Sequence, residues 1–390
     1  MELSSRPLRP LRILHLIAHS EPGGLSRYVH DLAAAMHERG HDVRVAGNRG
    51  GWQELFDRAP FPYIQAPLDR GPIELWRASR ALRDHLRGHP VDVIHAHYRR
   101  TTFVGRLLQR DRHPPLLYTV HLSDMPLNWA ARLMNDYGDH VHVPAAEAGR
   151  WAVERAGVDP ARVTLIPHGV HVECFPVADP ETRRLARRQF SLREEDRVAA
   201  YVGRLDYPKN EEWLLDVVER GRARIPNLKL LVAGSGPHEA AFRRQIVARD
   251  LANHVIALGE RLDPLTVYQA ADALLLPSQR EGFSLSTAEA MSVGIPVCRT
   301  RTAGAAELIL ENVTGRATPI DREAFVSAAI EFLRDGDALR TMAAAAARHV
   351  RKHFTFDRQL SETIALYYRI AGLAESSNSP APAPAEAVRP

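Results

Sequence analysis

The feature that most constrains this fold is a rhythm. Short apolar runs, each followed by a turn and a stretch of helical spacing, recur along the chain in two successive series. The first series has runs at 12–18, 43–46, 91–95, 116–121, 140–143 and 163–166, and the second at 198–202, 228–233, 254–258, 273–276 and 295–297. A strand covered on both faces reads as a continuous apolar run, and strands that alternate with helices form a parallel sheet. The expected fold class is therefore α/β, with two doubly wound, Rossmann-like domains facing a central cleft.

Length agrees, since 390 residues exceed what one hydrophobic core usually organises. Composition divides the chain as well: 15 of its 19 histidines precede residue 172. The reading places a first domain at 1–172, a polar, Arg/Glu-rich connection at 173–195 and a second domain at 196–353. A last helix at 356–372, with Leu360, Ile364, Tyr367 and Tyr368 as its apolar stripe, is expected to pack back on the first domain. Residues 373–390 hold too little apolar surface to fold and are expected to be disordered.

Several classes are set aside by composition. No apolar run reaches the roughly 18–20 residues of a membrane span, and the first residues lack the apolar core of a secretory signal. Cys174 and Cys298 are too few for a disulfide framework or a zinc site. The expected compartment is the cytoplasm. A net charge of +4 without a basic, aromatic-interleaved run argues against nucleic acid, while a peripheral contact with an anionic membrane stays open.

The most informative motif follows the run at 273–276: Glu281-Gly-Phe-Ser-Leu-Ser-Thr-Ala-Glu289. A strand, a turn with glycine and a helix start form a ligand-binding strand end in an open α/β sheet. The carboxylates can accept bonds from sugar hydroxyls, and helix amides can receive phosphate, so a nucleotide sugar is the first ligand to consider. A structural alternative applies to Glu289, which fits a capping box with Ser286. The second domain opens with Gly203-Arg-Leu-Asp-Tyr-Pro-Lys-Asn210, where Arg204 and Lys209 can hold a diphosphate or simply face solvent. Only three of the 51 basic residues are lysines, which favours a role for Lys209. Gly234 lies in a Gly-Ser-Gly turn that permits close backbone approach, and Arg261 follows the run at 254–258. In the first domain Gly24 precedes a helix, and His121 ends the run at 116–121. Arg99 and Arg100 fit a cleft wall or plain surface, and Asp335-Gly-Asp337 reads as a turn between helices rather than a metal site.

Together these residues resemble the retaining GT-B glycosyltransferases of family 4, from about Arg12 to Gly372. The most specific block is Tyr268-Gln-Ala-Ala-Asp272, Pro277-Ser278, Glu281-Gly-Phe-Ser-Leu285, Glu289-Ala-Met291, Gly294-Ile-Pro-Val297 and Thr314-Gly315. The resemblance implies a metal-independent, cofactor-free transfer of a hexose-type sugar, with retention, from a UDP- or GDP-sugar to a sugar, lipid-linked or small-molecule hydroxyl. It implies that Glu281 meets the donor sugar at the reacting centre and that Glu289 binds the ribose. It further implies that Arg204 and Lys209 hold the diphosphate, that the amides of Phe283, Ser284 and Leu285 touch sugar and phosphates, that Gly24 lies near the phosphate, and that His121 contacts the sugar. Gly234 and Arg261 complete the donor set, and the first domain takes the acceptor. The chain departs from the family pattern at Ala303-Gly304, His168-Gly-Val-His171 and Ser284, where a second glycine, Asn-Gly-Val-Asp and a glycine are usual. A hydroxyl at Ser284 is expected to narrow the sugar pocket or supply a donor. The alternatives are a non-catalytic nucleotide-sugar-binding subunit, or an epimerase or phosphorylase on the same fold; monomer and homodimer are both open.

Overall fold

The computed structural model describes residues 9–109, 113–123, 136–261 and 263–373. The chain divides into two compact units, Met1–Ile166 with Leu360–Pro390, and Pro167–Gln359.

Among the described residues the first unit holds seven strands: β1 (Arg12–His19), β2 (Asp42–Asn48), β3 (Tyr63–Gln65), β4 (Val93–Ala96), β5 (Leu116–Thr119), β6 (His140–Val143) and β7 (Val163–Leu165). The second holds six: β8 (Arg197–Val202), β9 (Leu228–Ala233), β10 (Val255–Gly259), β11 (Ala273–Leu276), β12 (Val297–Thr300) and β13 (Gly315–Thr318). The sheet orders are β3-β2-β1-β4-β5-β6-β7 and β10-β9-β8-β11-β12-β13, and the pairs are parallel. Each chain path runs outward from its first strand and then crosses back to its other side. This makes a topological switch point between β1 and β4 and another between β8 and β11.

The two strands that the apolar rhythm misses, β3 and β13, lie at sheet edges. Their sequences, Tyr-Ile-Gln and Gly-Arg-Ala-Thr, carry no apolar run; an edge strand has less surface to bury, which permits such a sequence without requiring it, since the other edges, β7 and β10, do carry apolar runs. Central strands behave as the rhythm requires. In the second unit Ala199, Tyr201, Leu230, Val232 and Leu275 fill one core, while Val198, Ala200, Leu231, Ala233 and Leu274 fill the other. Alternation with burial on both sides gives the unbroken apolar reading.

The amino ends of the strands are tied by carboxylates. Asp92 accepts the Arg12 amide at 2.9 Å, Asp139 the Leu116 amide at 2.9 Å, and Asp272 the Val198 amide at 2.7 Å. Arginines neutralise each one. This end of each sheet is structural, and it corrects the expected connection at 173–195. That stretch contains the helix Pro180–Gln189. Arg183 and Arg187 on this helix donate to the Ala271 and Ala270 carbonyls and to Asp272, so the helix belongs to the second unit. Its polar composition reflects buried arginine bonds rather than a linker.

The last helix, Phe356–Ile370, joins the first unit from Leu360 onward. Tyr367 is fully buried against the His15 and His95 rings, and the Tyr368 hydroxyl donates to the Arg9 carbonyl at 2.8 Å. The expected disordered tail lies outside the described residues from 374. Asp335 caps the helix Gly336–His353 by accepting the Ala338 amide at 2.9 Å, in keeping with a turn. No described helix is long and apolar enough to cross a membrane.

Candidate active site

The loops that follow β8 and β11 flank the switch point of the second sheet, and three contacts stitch them together. The Lys209 Nζ donates to Glu281 Oε1 at 2.6 Å, the Asn210 side-chain amide donates to the Pro277 carbonyl at 2.9 Å, and the Gln279 amide donates to the Pro208 carbonyl at 2.7 Å. Glu281 Oε1 also accepts the Ser278 hydroxyl at 2.6 Å. Glu281 is buried, and burial alone pushes its carboxyl up. The charges of Lys209 and Arg299, with the bonds from Lys209 and Ser278, outweigh that and hold it below the ordinary carboxylate value. Glu281 is therefore ionised. Lys209 retains two further N–H donors for a ligand.

Arg299 escapes the sequence reading. It lies on β12, fully buried beneath this loop, and donates to the Thr302 hydroxyl at 2.7 Å and the Ala303 carbonyl at 3.2 Å. A single arginine in Val-Cys-Arg-Thr carries no signal of its own. Ser278 and Asn210 were likewise invisible as partners, since only the fold brings 210 to 277. Glu211, buried and bonded to His238 at 2.6 Å, adds another carboxylate just past Lys209.

Glu289 stands in the second turn of the helix Leu285–Val293, where its Oε2 accepts the Tyr268 hydroxyl at 2.8 Å. The expected capping box at Ser286 is corrected. The cap is Ser284, in left-handed conformation with φ 71°, and its hydroxyl accepts the Thr287 amide and meets the Thr287 hydroxyl at 2.9 Å. The helix starts two residues earlier than the box requires, which moves Glu289 away from the first turn. The Ser284 hydroxyl, expected to face a sugar pocket, is directed to its own helix. Phe283 is buried below it and Leu285 opens the helix. Gly304, the glycine kept of the usual pair, has φ 78°, and a Cβ there would lie 2.7 Å from Phe283 Cα.

The other expected donor residues are more scattered. Arg204 is mostly exposed and pairs with Asp206, not with the Lys209–Glu281 cluster. Gly234 packs so closely on the β8 loop that a Cβ would meet the Gly203 carbonyl at 1.8 Å, and its amide donates to the Gly259 carbonyl at 2.8 Å. Arg261 is exposed beyond β10, the edge strand.

In the first unit Gly24 opens the helix Gly24–Glu38 after β1, beside the other switch point. Arg100 donates to the Asp69 carbonyl at 2.9 Å, a surface contact. His121 follows β5 rather than ending it, and it does not stand alone. Its Nε2 meets His97 Nδ1 at 3.1 Å, and His97 Nε2 meets His15 Nδ1 at 2.9 Å. A second chain runs from the Tyr367 hydroxyl to His95 Nδ1 at 2.5 Å, from His95 Nε2 to the Thr119 hydroxyl at 2.6 Å, on to His142 Nδ1 at 2.9 Å, and from His142 Nε2 to the Ile166 carbonyl at 2.8 Å. Burial pushes His15 and His121 down to about 3 and His142 to about 4, and holds His95 and His97 well below the ordinary value. All five are neutral at physiological pH.

His15, His95 and His97 also present ring nitrogens within 4.8 Å of one another, as metal ligands might be grouped. Both nitrogens of His95 are already committed to Tyr367 and Thr119, and His15 bonds His97 directly. The donor set thus reads as a hydrogen-bond network. The sequence did not show the group because His15 comes from β1, while His95 and His97 come from β4 and the residue just past it.

Two family models match the chain. One, Glycosyl transferases group 1, covers residues 182–350, and the other, Glycosyltransferase Family 4, covers 22–173. Among curated proteins, D-inositol 3-phosphate glycosyltransferase of Mycobacterium tuberculosis is 29% identical over 309 residues, 72% of this chain. The chain spans 62% of the length of that relative. Among solved structures, a glycosyltransferase from Rickettsia africae has a TM-score of 0.81 at 18% identity, covering 93% of this chain and 98% of its own. Anabaena HepE in complex with UDP and glucose has 0.79 at 20%, covering 91% and 99%. Sucrose-phosphate synthase from Thermosynechococcus elongatus has 0.75 at 22%, covering 93% and 100%. With both sheets in doubly wound order and both halves matched by these models, the chain belongs to the family 4 glycosyltransferases of GT-B fold.

Proposed function

We propose that the protein transfers a hexose-type sugar from a nucleoside-diphosphate sugar to a hydroxyl acceptor, with retention at the anomeric carbon and without a metal ion. The observation that carries this reading is the Lys209–Glu281 pair, which joins the β8 and β11 loops at the switch point. A lysine held there by a buried carboxylate still has donors for phosphate oxygens. As the bond from the anomeric carbon to phosphate oxygen breaks, negative charge grows on the leaving diphosphate, and a fixed cation stabilises that growth more than the ground state. The acceptor oxygen attacks the same face, and its proton passes to the departing phosphate oxygen. Lys209 takes the role that a metal plays elsewhere, and Arg204 adds charge once its side chain leaves Asp206. Glu281 orients sugar hydroxyls, and Glu289 the ribose.

UDP-linked donors come first, in line with the UDP and glucose named for the Anabaena structure, and GDP-linked donors next. The mycobacterial relatives carry a name that points to a phosphorylated cyclitol as the first acceptor to try. A thermal-shift comparison of UDP, GDP, ADP and dTDP, then transfer assays with the matching donors, tests the reading. Lys209→Ala and Glu281→Ala are each expected to lose most turnover while remaining folded; near-normal transfer by both would overturn it.

A further inference from the structure

The two histidine chains of the first unit have directions that follow from where they end. In the second chain the Ile166 carbonyl can only accept, so His142 carries its proton on Nε2. Its Nδ1 then accepts from the Thr119 hydroxyl, Thr119 accepts from His95 Nε2–H, and His95 Nδ1 accepts from the Tyr367 hydroxyl. Each donor in that chain is used.

The first chain ends differently. His15 is fully buried, and its Nε2 has no protein group within hydrogen-bonding reach. A proton on that nitrogen would be an orphaned, buried N–H, which is costly, whereas an unused acceptor lone pair costs less and is less rare. The proton of His15 therefore sits on Nδ1 and is donated to His97 Nε2. His97, neutral with that nitrogen accepting, carries its proton on Nδ1 and donates it to His121 Nε2. One tautomer remains for His121.

We propose that His15 and His97 are positioning residues that fix His121 with its proton on Nδ1, so that the ring offers a hydrogen bond to an oxygen of the substrate and does not act as a base. That the substrate oxygen is a sugar hydroxyl rests on the function proposed above; the tautomer does not. The free histidine side chain favours a proton on Nε2, so the opposite arrangement at His121 is a consequence of the fold.

The direct test is a long-range proton–nitrogen correlation spectrum of the full chain labelled with ¹⁵N-histidine, with His121 assigned by its loss in His121→Gln. The expected pattern is a pyrrole-like Nδ1 and a pyridine-like Nε2. A pyrrole-like Nε2, or two protonated nitrogens, overturns the proposal whether or not the protein transfers sugar. Activity supplies the second arm. A glutamine at 97 can accept from His15 and donate to His121, because its amide places an oxygen and a nitrogen much as imidazole places its two nitrogens. His97→Gln should keep kcat within about threefold of the native protein, while His97→Leu should lose about tenfold in kcat with little change in donor KM, as expected for one neutral hydrogen bond. Equal loss in the two folded variants overturns the positioning role. If the native protein shows no transfer, the function reading fails while the spectrum still decides the tautomer.

Discussion

Across β1, β4, β5 and β6 the first unit gathers histidines in two directed chains, and at the ends of β8, β11 and β12 the second gathers Lys209, Glu281 and Arg299. The two sheets share the doubly wound order, and each gathers its groups around its own switch point. They solve the cost of burying polarity in opposite ways. The histidines stay neutral and satisfy one another through tautomer order, which needs no counter-ion but does need each ring to hold its direction. The second cluster keeps its charges, which demands opposite signs within reach, and in return leaves a cation available for an anionic ligand. Neutral order suits a site that orients, while a charged pair suits one that absorbs developing charge.

The largest effect should come from breaking the charged pair on one side. Lys209→Met leaves Glu281 buried beside Arg299 alone, and removing one partner of a buried pair costs about 3–5 kcal/mol. Partial exposure of the lysine, 23% of its side chain, argues for the lower part of that range. Turnover should fall by about 10²–10³ through lost stabilisation of the leaving group. Adding Glu281→Gln should recover most of the stability, read by urea unfolding, and none of the turnover. A double variant no more stable than Lys209→Met would mean that the carboxylate is not the source of the cost.

Acid separates the two regions next. The five histidines hold lowered values, so below the ordinary value of 6.5 the unfolded chain takes up protons that the fold refuses. Stability falls as pH drops through 6.5 and continues to fall toward about 3. Glu281 has a lowered carboxyl, so its contribution is complete above its ordinary value of 4.5 and is lost only as pH falls below it. Between pH 6.5 and 5 the first unit should therefore weaken first, by about 1.4 kcal/mol per pH unit for each proton withheld at the limit. Hydrogen exchange followed by mass spectrometry, corrected for intrinsic rates, should show faster opening of peptides from β1, β4 and β5 than from β8 and β11. Parallel loss in both units would remove the contrast.

The same contrast explains what could be read from the chain. Strands buried on both faces announce themselves, and the Glu281 to Glu289 spacing marks a strand end that the fold places at the switch point. The edges β3 and β13 hide because the little surface at stake there permits a sequence without an apolar run. Arg299 hides because one arginine in an apolar strand has no pattern, and its partners Thr302 and Ala303 come from a turn. His121 was legible as a residue but not as the end of a chain, since His15 lies on β1 while His97 and His121 lie just past β4 and β5, and only the sheet brings them together. The cap at Ser284 was misplaced because Ser286 with Glu289 satisfies the same local rule, and spacing alone cannot choose between two overlapping caps.

Close backbone contact is common to both units, which press chain together where side chains would not fit, as at Gly50 against Ser20 in the first and Gly304 against Phe283 in the second. Gly304→Ala meets both a left-handed backbone and a contact of 2.7 Å, and should cost about 2 kcal/mol, with a matching drop in affinity for the best nucleotide. An unchanged melting temperature would show that the Phe283 loop yields without cost.

The smallest effect is expected at Ser284, where two terms oppose each other. Its left-handed conformation costs a serine about 1 kcal/mol relative to glycine. Its hydroxyl supplies the helix cap, and replacing a serine cap by glycine loses only a few tenths of a kcal/mol. Ser284→Gly should therefore stabilise the second unit slightly, by about 0.5 kcal/mol, even though it removes a hydrogen bond. Because that hydroxyl is turned toward Thr287, the substitution should leave the preference among donor sugars unchanged. A shift in donor preference, measured as the ratio of kcat/KM for two UDP-sugars, would show that the hydroxyl leaves the cap and reaches the ligand during turnover. The charged site would then share with the histidine chains a dependence on the direction of a single proton.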